Sequence, residues 1–82
     1  MRTGNEEFRV DRYTVILCEA GGITIVGEYR KFKRARREAR KICRKAAPDM
    51  YVVVWRTDEY GKSKPCIMYK GGSCKKVAYS LN

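Results

Sequence analysis

The chain has 82 residues, which is enough for one domain and too few for a second core. Nineteen lysines and arginines against nine acids give a net charge of +10, which excludes an acidic mimic of nucleic acid and is typical of proteins that bind polyanions. Histidine, the commonest general base and metal ligand, is absent. With 44% hydrophobic residues the chain is too apolar to be disordered, so we expect a folded binding protein.

The sequence predicts no membrane segment and no metal site. No apolar run approaches the roughly 20 residues of a membrane span, and no apolar leader is found at the N-terminus, so we expect a cytoplasmic protein. The four cysteines form no C-x-x-C pair, which argues against zinc and redox motifs and favours reduced thiols without a cofactor: Cys18, Cys43, Cys66 and Cys74. Cys66 and Cys74 flank a predicted turn and form the one pair that we expect could face across a hairpin.

The N-terminal part of the chain predicts a flexible end followed by a hairpin. Residues 1–7 have no apolar side chain after Met1 and are expected to be flexible, with a single domain over residues 8–82. Residues 8–18 combine alternating polarity with β-branched residues, which predicts a first strand. Gly21 and Gly22 then predict a turn, and residues 23–26 predict a second strand.

A helix follows, because six apolar or small residues recur at steps of three and four. They are Phe32, Ala35, Ala39, Ile42, Cys43 and Ala46. Pro48 marks the end of this helix, since proline disfavours helical geometry at the preceding residue. The start has no Ser, Thr, Asp or Asn to act as a cap, and cations lie at the positive end of the helix dipole.

Three further strands complete a predicted α+β fold. Residues 50–55 are apolar on both alternating faces, which predicts a strand in the centre of its sheet. Residues 65–69 and 74–81 predict the fourth and fifth strands. We therefore expect a single antiparallel sheet of four to five strands, in the order ββαβββ, with one basic amphipathic helix on one face. Because one helix covers only one face, we expect the other face to be covered by self-association, most simply as a homodimer, or else by a partner or by the N-terminal segment.

The charge excess is concentrated on the predicted helix. Residues 30–45 contain ten of the nineteen cations and one acid, Glu38, so this segment has a charge of +9 and the other 66 residues have +1. At about 100° per residue, eight cations lie away from the apolar face: Lys33, Arg34, Arg36, Arg37, Arg40, Lys41, Arg44 and Lys45. Like charges four residues apart destabilise a helix, and arginine suits phosphate and carboxylate, so this face indicates a site for nucleic acid (DNA or RNA) or for an acidic protein patch.

Catalysis has no candidate residues in this sequence. No pair of carboxylates has a spacing that singles it out, and the serines lack a partner base. The segment Gly71-Gly72-Ser73 does not match a phosphate-binding P-loop. We therefore expect a protein that is not an enzyme.

The layout resembles a class of small phage-encoded proteins that includes some type I anti-CRISPR proteins. The resemblance runs from about Tyr13 to Tyr79 and is carried by three segments: the helix pattern Phe32-x-x-Ala35-x-x-x-Ala39-x-x-Ile42, the strand Tyr51-Val52-Val53-Val54-Trp55 and the turn Asp58-Glu59-Tyr60-Gly61-Lys62. It implies stoichiometric inhibition of a CRISPR effector ribonucleoprotein in the cytoplasm of an infected bacterial host. The alternative is a small regulator that binds the nucleic-acid backbone directly.

Overall fold

Five strands and one helix make up residues 11–77, the part of the chain that the computed structural model describes. In chain order they are β1 (Arg12–Glu19), β2 (Gly22–Tyr29), α1 (Phe32–Lys45), β3 (Tyr51–Thr57), β4 (Ser63–Lys70) and β5 (Lys75–Val77). The strands form one antiparallel sheet in the order β2-β1-β3-β4-β5, with α1 packed on one face. The predicted α+β fold and its ββαβββ order are confirmed.

Some predicted boundaries change and some lie outside the described residues. β2 extends to Tyr29, three residues beyond its predicted end, and β4 begins at Ser63, two residues before its predicted start. Each of these two strands contains a register shift, next to Val26 in β2 and Cys66 in β4, which interrupts the alternation used to predict it. The predicted flexible residues 1–7, the start of the first strand at 8–10 and the fifth strand beyond residue 77 lie outside the described range.

The core lies between the small side chains of α1 and the centre of the sheet. Ala35, Ala39 and Cys43 on α1 have no exposed surface, as predicted from their spacing. They pack against the equally buried Val15 and Val52 of the two central strands. Because these helix side chains are small, the axis of α1 can approach the sheet closely and its other side is left to solvent. Within residues 11–77, no helix is both long enough and apolar enough to cross a membrane.

β3 is the central strand of the sheet, as predicted, and it is buried on both faces. Val52 and Val54 belong to the core beneath α1. Val53 points to the opposite face because side chains alternate along a strand, yet only 5% of it is exposed. Its cross-strand partners there are Ile16 on β1 and Met68 on β4, both partly buried. The face away from α1 is therefore apolar at its centre.

The turn between β4 and β5 anchors the C-terminal end of α1. The Gly72 N–H donates to the Cys43 carbonyl at 2.9 Å, and the Gly71 N–H donates to the Met50 carbonyl at 2.8 Å. The Cys43 thiol in turn donates to the Lys70 carbonyl at 2.9 Å. The Cys43 carbonyl also accepts from the Ala46 N–H at 3.1 Å, so the Gly72 N–H adds a second bond at the C-terminal end of the helix. These bonds also fix the height of α1 above β4.

All four cysteines are free thiols, and Cys74 contacts α1 instead of facing Cys66. Cys66 is exposed beside the β4 register shift, whereas Cys74 reaches α1, where its thiol donates to the Arg40 carbonyl at 3.6 Å. Burial, together with a hydrogen bond to the Cys74 side chain, raises the pKa of the Cys43 thiol to about 11. Cys74 therefore contacts Cys43, and the possibility that Cys66 and Cys74 face each other across the hairpin is not realised. At neutral pH Cys43 is protonated and acts as a small buried apolar group.

Gly71 has no room for a side chain, which gives a test of how the β4–β5 turn holds the helix. A Cβ at this position would lie 2.1 Å from the Ala47 carbonyl oxygen, so Gly71→Ala must displace backbone. We expect a loss of about 3 kcal/mol in the free energy of unfolding, measured by urea denaturation. Gly21→Ala is the control, because nothing lies within 4 Å of its Cβ, and it should change stability by less than about 0.5 kcal/mol. Equal midpoints for the two variants would contradict this close contact.

Candidate anion-binding site

The outer side of α1 is a continuous basic surface. All eight predicted site residues lie on this helix, and all eight are exposed. We call this set the cationic ridge: Lys33, Arg34, Arg36, Arg37, Arg40, Lys41, Arg44 and Lys45. The ridge results from the packing of the helix. Its apolar residues face the core, so its polar residues face solvent.

Six side chains of the cationic ridge enclose a shallow groove of about 310 Å³. They are Lys33, Arg36, Arg37, Arg40, Lys41 and Arg44. No acidic side chain lines this groove, so its lining has six positive charges and no negative one. The structure thus brings together six of the eight predicted residues around one depression, which we call the arginine groove.

The remaining two residues of the ridge lie outside the arginine groove. Arg34 lines a second depression, of about 480 Å³, between α1 and the end of β2. Its other lining residues are Glu28, Tyr29, Arg30 and Lys31. Lys45 lines neither depression. Sequence reasoning did not select Tyr29, because the residue ends a strand and its position beside Arg34 depends on how the helix docks.

Acidic partners for the ridge are few within residues 11–77. Lys41 pairs with Glu38 at 3.6 Å on the same helix, and this is the one ion pair of the ridge in the described part of the chain. Two other acids pair with basic residues of the sheet, Asp11 with Arg56 at 2.8 Å and Glu28 with Arg12 at 3.8 Å. The positive charge of the arginine groove is therefore largely uncompensated by the described residues.

The ends of α1 indicate that the ridge does not serve helix stability alone. Lys31 occupies the N-cap position and makes no side-chain capping bond, and the first turn contains no acid. Both features leave the positive end of the helix dipole without compensation, as the sequence predicted. Among the cations of the ridge, only Arg44 and Lys45 lie in the last turn, where the negative end of the helix dipole favours positive charge.

Lys76 extends the basic surface onto the sheet and was not among the predicted site residues. It is exposed and pairs with Tyr69 across β4 and β5, so it lies on the same face of the sheet as α1. Burial raises the pKa of Tyr69, while the positive charges of Arg36 and Arg40 act in the opposite direction. The pairing register of β5 with β4 places Lys76 on this face, and a register cannot be read from the sequence of one strand.

The comparisons with known proteins assign neither a family nor a function to this chain. No family model, curated protein or solved structure matches the chain. The resemblance to small phage-encoded proteins therefore stays a prediction. Among residues 11–77, no group of three or more Cys, Asp or Glu side chains is placed to hold a metal ion.

Reversing one charge at the centre of the ridge tests whether repulsion among its cations lowers the stability of the helix. Arg40 lies four residues from both Arg36 and Arg44, so Arg40→Glu converts two like-charge pairs into two opposite-charge pairs. We expect this variant to gain about 1 kcal/mol in unfolding free energy at low salt, and Arg40→Gln to gain about half as much. Thermal melts at low and high salt measure both, and the gain should shrink with added salt. A loss that is larger for Glu than for Gln would mean that the Arg40 charge stabilises the fold.

Proposed function

We propose that this chain is a non-catalytic binding protein that uses the cationic ridge to engage an anionic macromolecule. The observation that carries the proposal is the arginine groove, in which six cations and no acid line one depression. Guanidinium groups donate bidentate hydrogen bonds to phosphate and carboxylate oxygens, and a groove that holds several of them favours an extended polyanion over a single small anion. A helix of 14 residues is about 21 Å long, so the ridge can follow several successive phosphates.

The partner that we propose first is a CRISPR effector ribonucleoprotein in the cytoplasm of an infected bacterium. Two points support it: the layout that resembles small phage-encoded inhibitors, and a basic surface suited to the exposed phosphates of a guide RNA or to an acidic subunit patch. Binding in such a complex would block the effector by occupying a surface, with one copy consumed per site. No residue of the chain needs to act in catalysis.

A second candidate is a small regulator that binds the backbone of free DNA or RNA. The composition of the arginine groove favours it, because a groove lined by cations alone offers contacts to phosphate and none that would select a particular protein surface. Such binding would depend little on base sequence, since phosphate contacts position a protein without reading bases. The two candidates make the same use of the ridge and differ in whether a protein subunit completes the binding site.

Binding through the ridge predicts a steep dependence on salt. If each cation of the arginine groove neutralises one phosphate of a DNA duplex, log affinity should fall against log salt with a slope of about −5. Simultaneous replacement of Arg36, Arg37, Arg40 and Arg44 by Glu should abolish the gel shift and leave the fold intact, because these side chains are exposed.

The matched control changes the same number of charges elsewhere. Four exposed lysines outside the ridge can be replaced together by Glu: Lys62, Lys64, Lys70 and Lys75. This variant has the same net charge as the ridge variant, so a retained gel shift assigns binding to the ridge and not to net charge. Equal losses in the two variants, or binding unaffected by the ridge variant, would contradict the proposal.

A purified CRISPR effector separates the two candidates. The inhibitor requires a stable complex with the effector that survives nuclease treatment and prevents target binding, without a shift of free DNA or RNA. The regulator requires a salt-sensitive shift of free nucleic acid and no nuclease-resistant complex. The ridge variant should lose whichever activity is found.

A further inference from the structure

The two edges of the sheet differ in how well they are protected against pairing with another strand. At one edge the described part of β5 contains Lys75 and Lys76. At the other edge β2 has eight residues, and no charged side chain occurs from Gly22 to Gly27. Lysines are a usual means of blocking edge pairing, and a long uncharged edge invites it. Among the strands of residues 11–77, β2 is therefore the less protected edge, which we call the open edge.

The exposed apolar side chains are concentrated on this same strand. Of the four large hydrophobic residues that are exposed within residues 11–77, three lie on β2: Ile23, Ile25 and Val26. Ile23 is 67% exposed and Ile25 is 63% exposed. Both pair with residues of the sheet face that points away from α1, Cys18 and Ile16 respectively. Two isoleucines therefore extend the apolar face around Val53 to the open edge.

In the hydrogen-bonding pattern of the hairpin, the backbone N–H and C=O groups of Ile23 and Ile25 point away from β1. A two-residue turn joins β1 to β2, and such hairpins close on a pair that exchanges both hydrogen bonds, here Glu19 and Gly22. Antiparallel pairs alternate between hydrogen-bonded and non-hydrogen-bonded. Ile23 and Ile25 consequently occupy non-hydrogen-bonded positions relative to β1, so their N–H and C=O groups point away from the sheet.

We propose that β2 pairs with β2 of a second copy of this chain across a twofold axis, which joins the two sheets into one antiparallel sheet of ten strands. With Thr24 on the axis, Ile23 of each copy lies opposite Ile25 of the other and exchanges hydrogen bonds with it. Four isoleucines then meet on the face away from the helices. The register shift at Val26 ends the pairing, and the closed twofold arrangement leaves β2 of neither copy free for further pairing.

A second copy suits this edge because Ile23 and Ile25 flank Thr24 symmetrically and no charge opposes the contact there. Two chains of net charge +10 repel each other, and residues 22–27 form an uncharged segment at which they can meet. The twofold axis stands perpendicular to the sheet, so both helices lie on one face. Because α1 packs over β1 and β3, the two helix axes are about 20 Å apart, or about two and a half Debye lengths at physiological salt. The dimer would therefore present two cationic ridges side by side.

Sedimentation of the full chain at micromolar concentration tests the dimer, with hydrogen exchange of the Ile23 and Ile25 amides as a second measurement. We expect a mass twice the 9.5 kDa of one chain, and protected amides at both positions. Ile25→Lys should weaken association by at least about tenfold and expose these amides, since lysine blocks edge pairing. Tyr60→Lys is the matched control, because Tyr60 is 79% exposed in the β3–β4 turn, and it should remain a dimer.

Added salt separates this proposal from polyanion binding. Screening should strengthen the dimer or leave it unchanged, whereas binding to phosphates weakens with salt. The fourfold ridge variant should still dimerise, and Ile25→Lys should still bind polyanions through its single ridge. A wild-type monomer at micromolar concentration, a dimer unaffected by Ile25→Lys, or protection of the two amides in a monomer would each overturn the β2 pairing.

Discussion

The close packing of α1 on the sheet is the contact on which the rest of this structure depends. Three small side chains, Ala35, Ala39 and Cys43, are completely buried against the central strands. Because only small side chains of the helix are buried, most of its surface lies outside the core. In this chain that surface consists mainly of lysines and arginines. The same contact therefore makes both the core and the cationic ridge.

The helix is fixed by the fold, and its surface is unfavourable for its own stability. The turn between β4 and β5 holds its C-terminal end through hydrogen bonds to Cys43, and the N-terminal end has no cap. Like charges four residues apart add repulsion along the outer face. A surface selected for stability alone would mix the two signs of charge, so the excess of one sign supports the proposed binding of an anionic partner.

Much of the fold could be predicted from local patterns, and what could not depends on register and on tertiary contact. The spacing of Ala35, Ala39 and Cys43 predicts which side of α1 is buried, and the two-sided apolar pattern of residues 50–55 predicts the central strand. The register shifts at Val26 and Cys66 break the alternation and could not be located in advance. Their position depends on pairing with neighbouring strands.

Part of the candidate site could also be predicted from the local sequence, and the rest depends on tertiary contacts. All eight cations of the ridge could be selected from helical periodicity, because one helix holds them all. Lys76 and Tyr29 could not, since Lys76 reaches the helix side of the sheet through its pairing with Tyr69 and Tyr29 lies beside Arg34 through the docking of α1 against β2. The contact of Cys74 with Cys43 likewise depends on where the last turn meets the helix.

Nuclear magnetic resonance of the isotope-labelled chain tests most directly whether the ridge binds anionic macromolecules. Separate titrations with a short RNA duplex and with an acidic peptide would follow the backbone amides and the arginine side-chain N–H groups. We expect at least one probe to shift the signals of the arginine groove and of Lys76, while the signals of Val53 and Met68 on the opposite face stay in place. Shifts centred on that opposite face, or no shift of the groove with either probe, would contradict binding through the ridge.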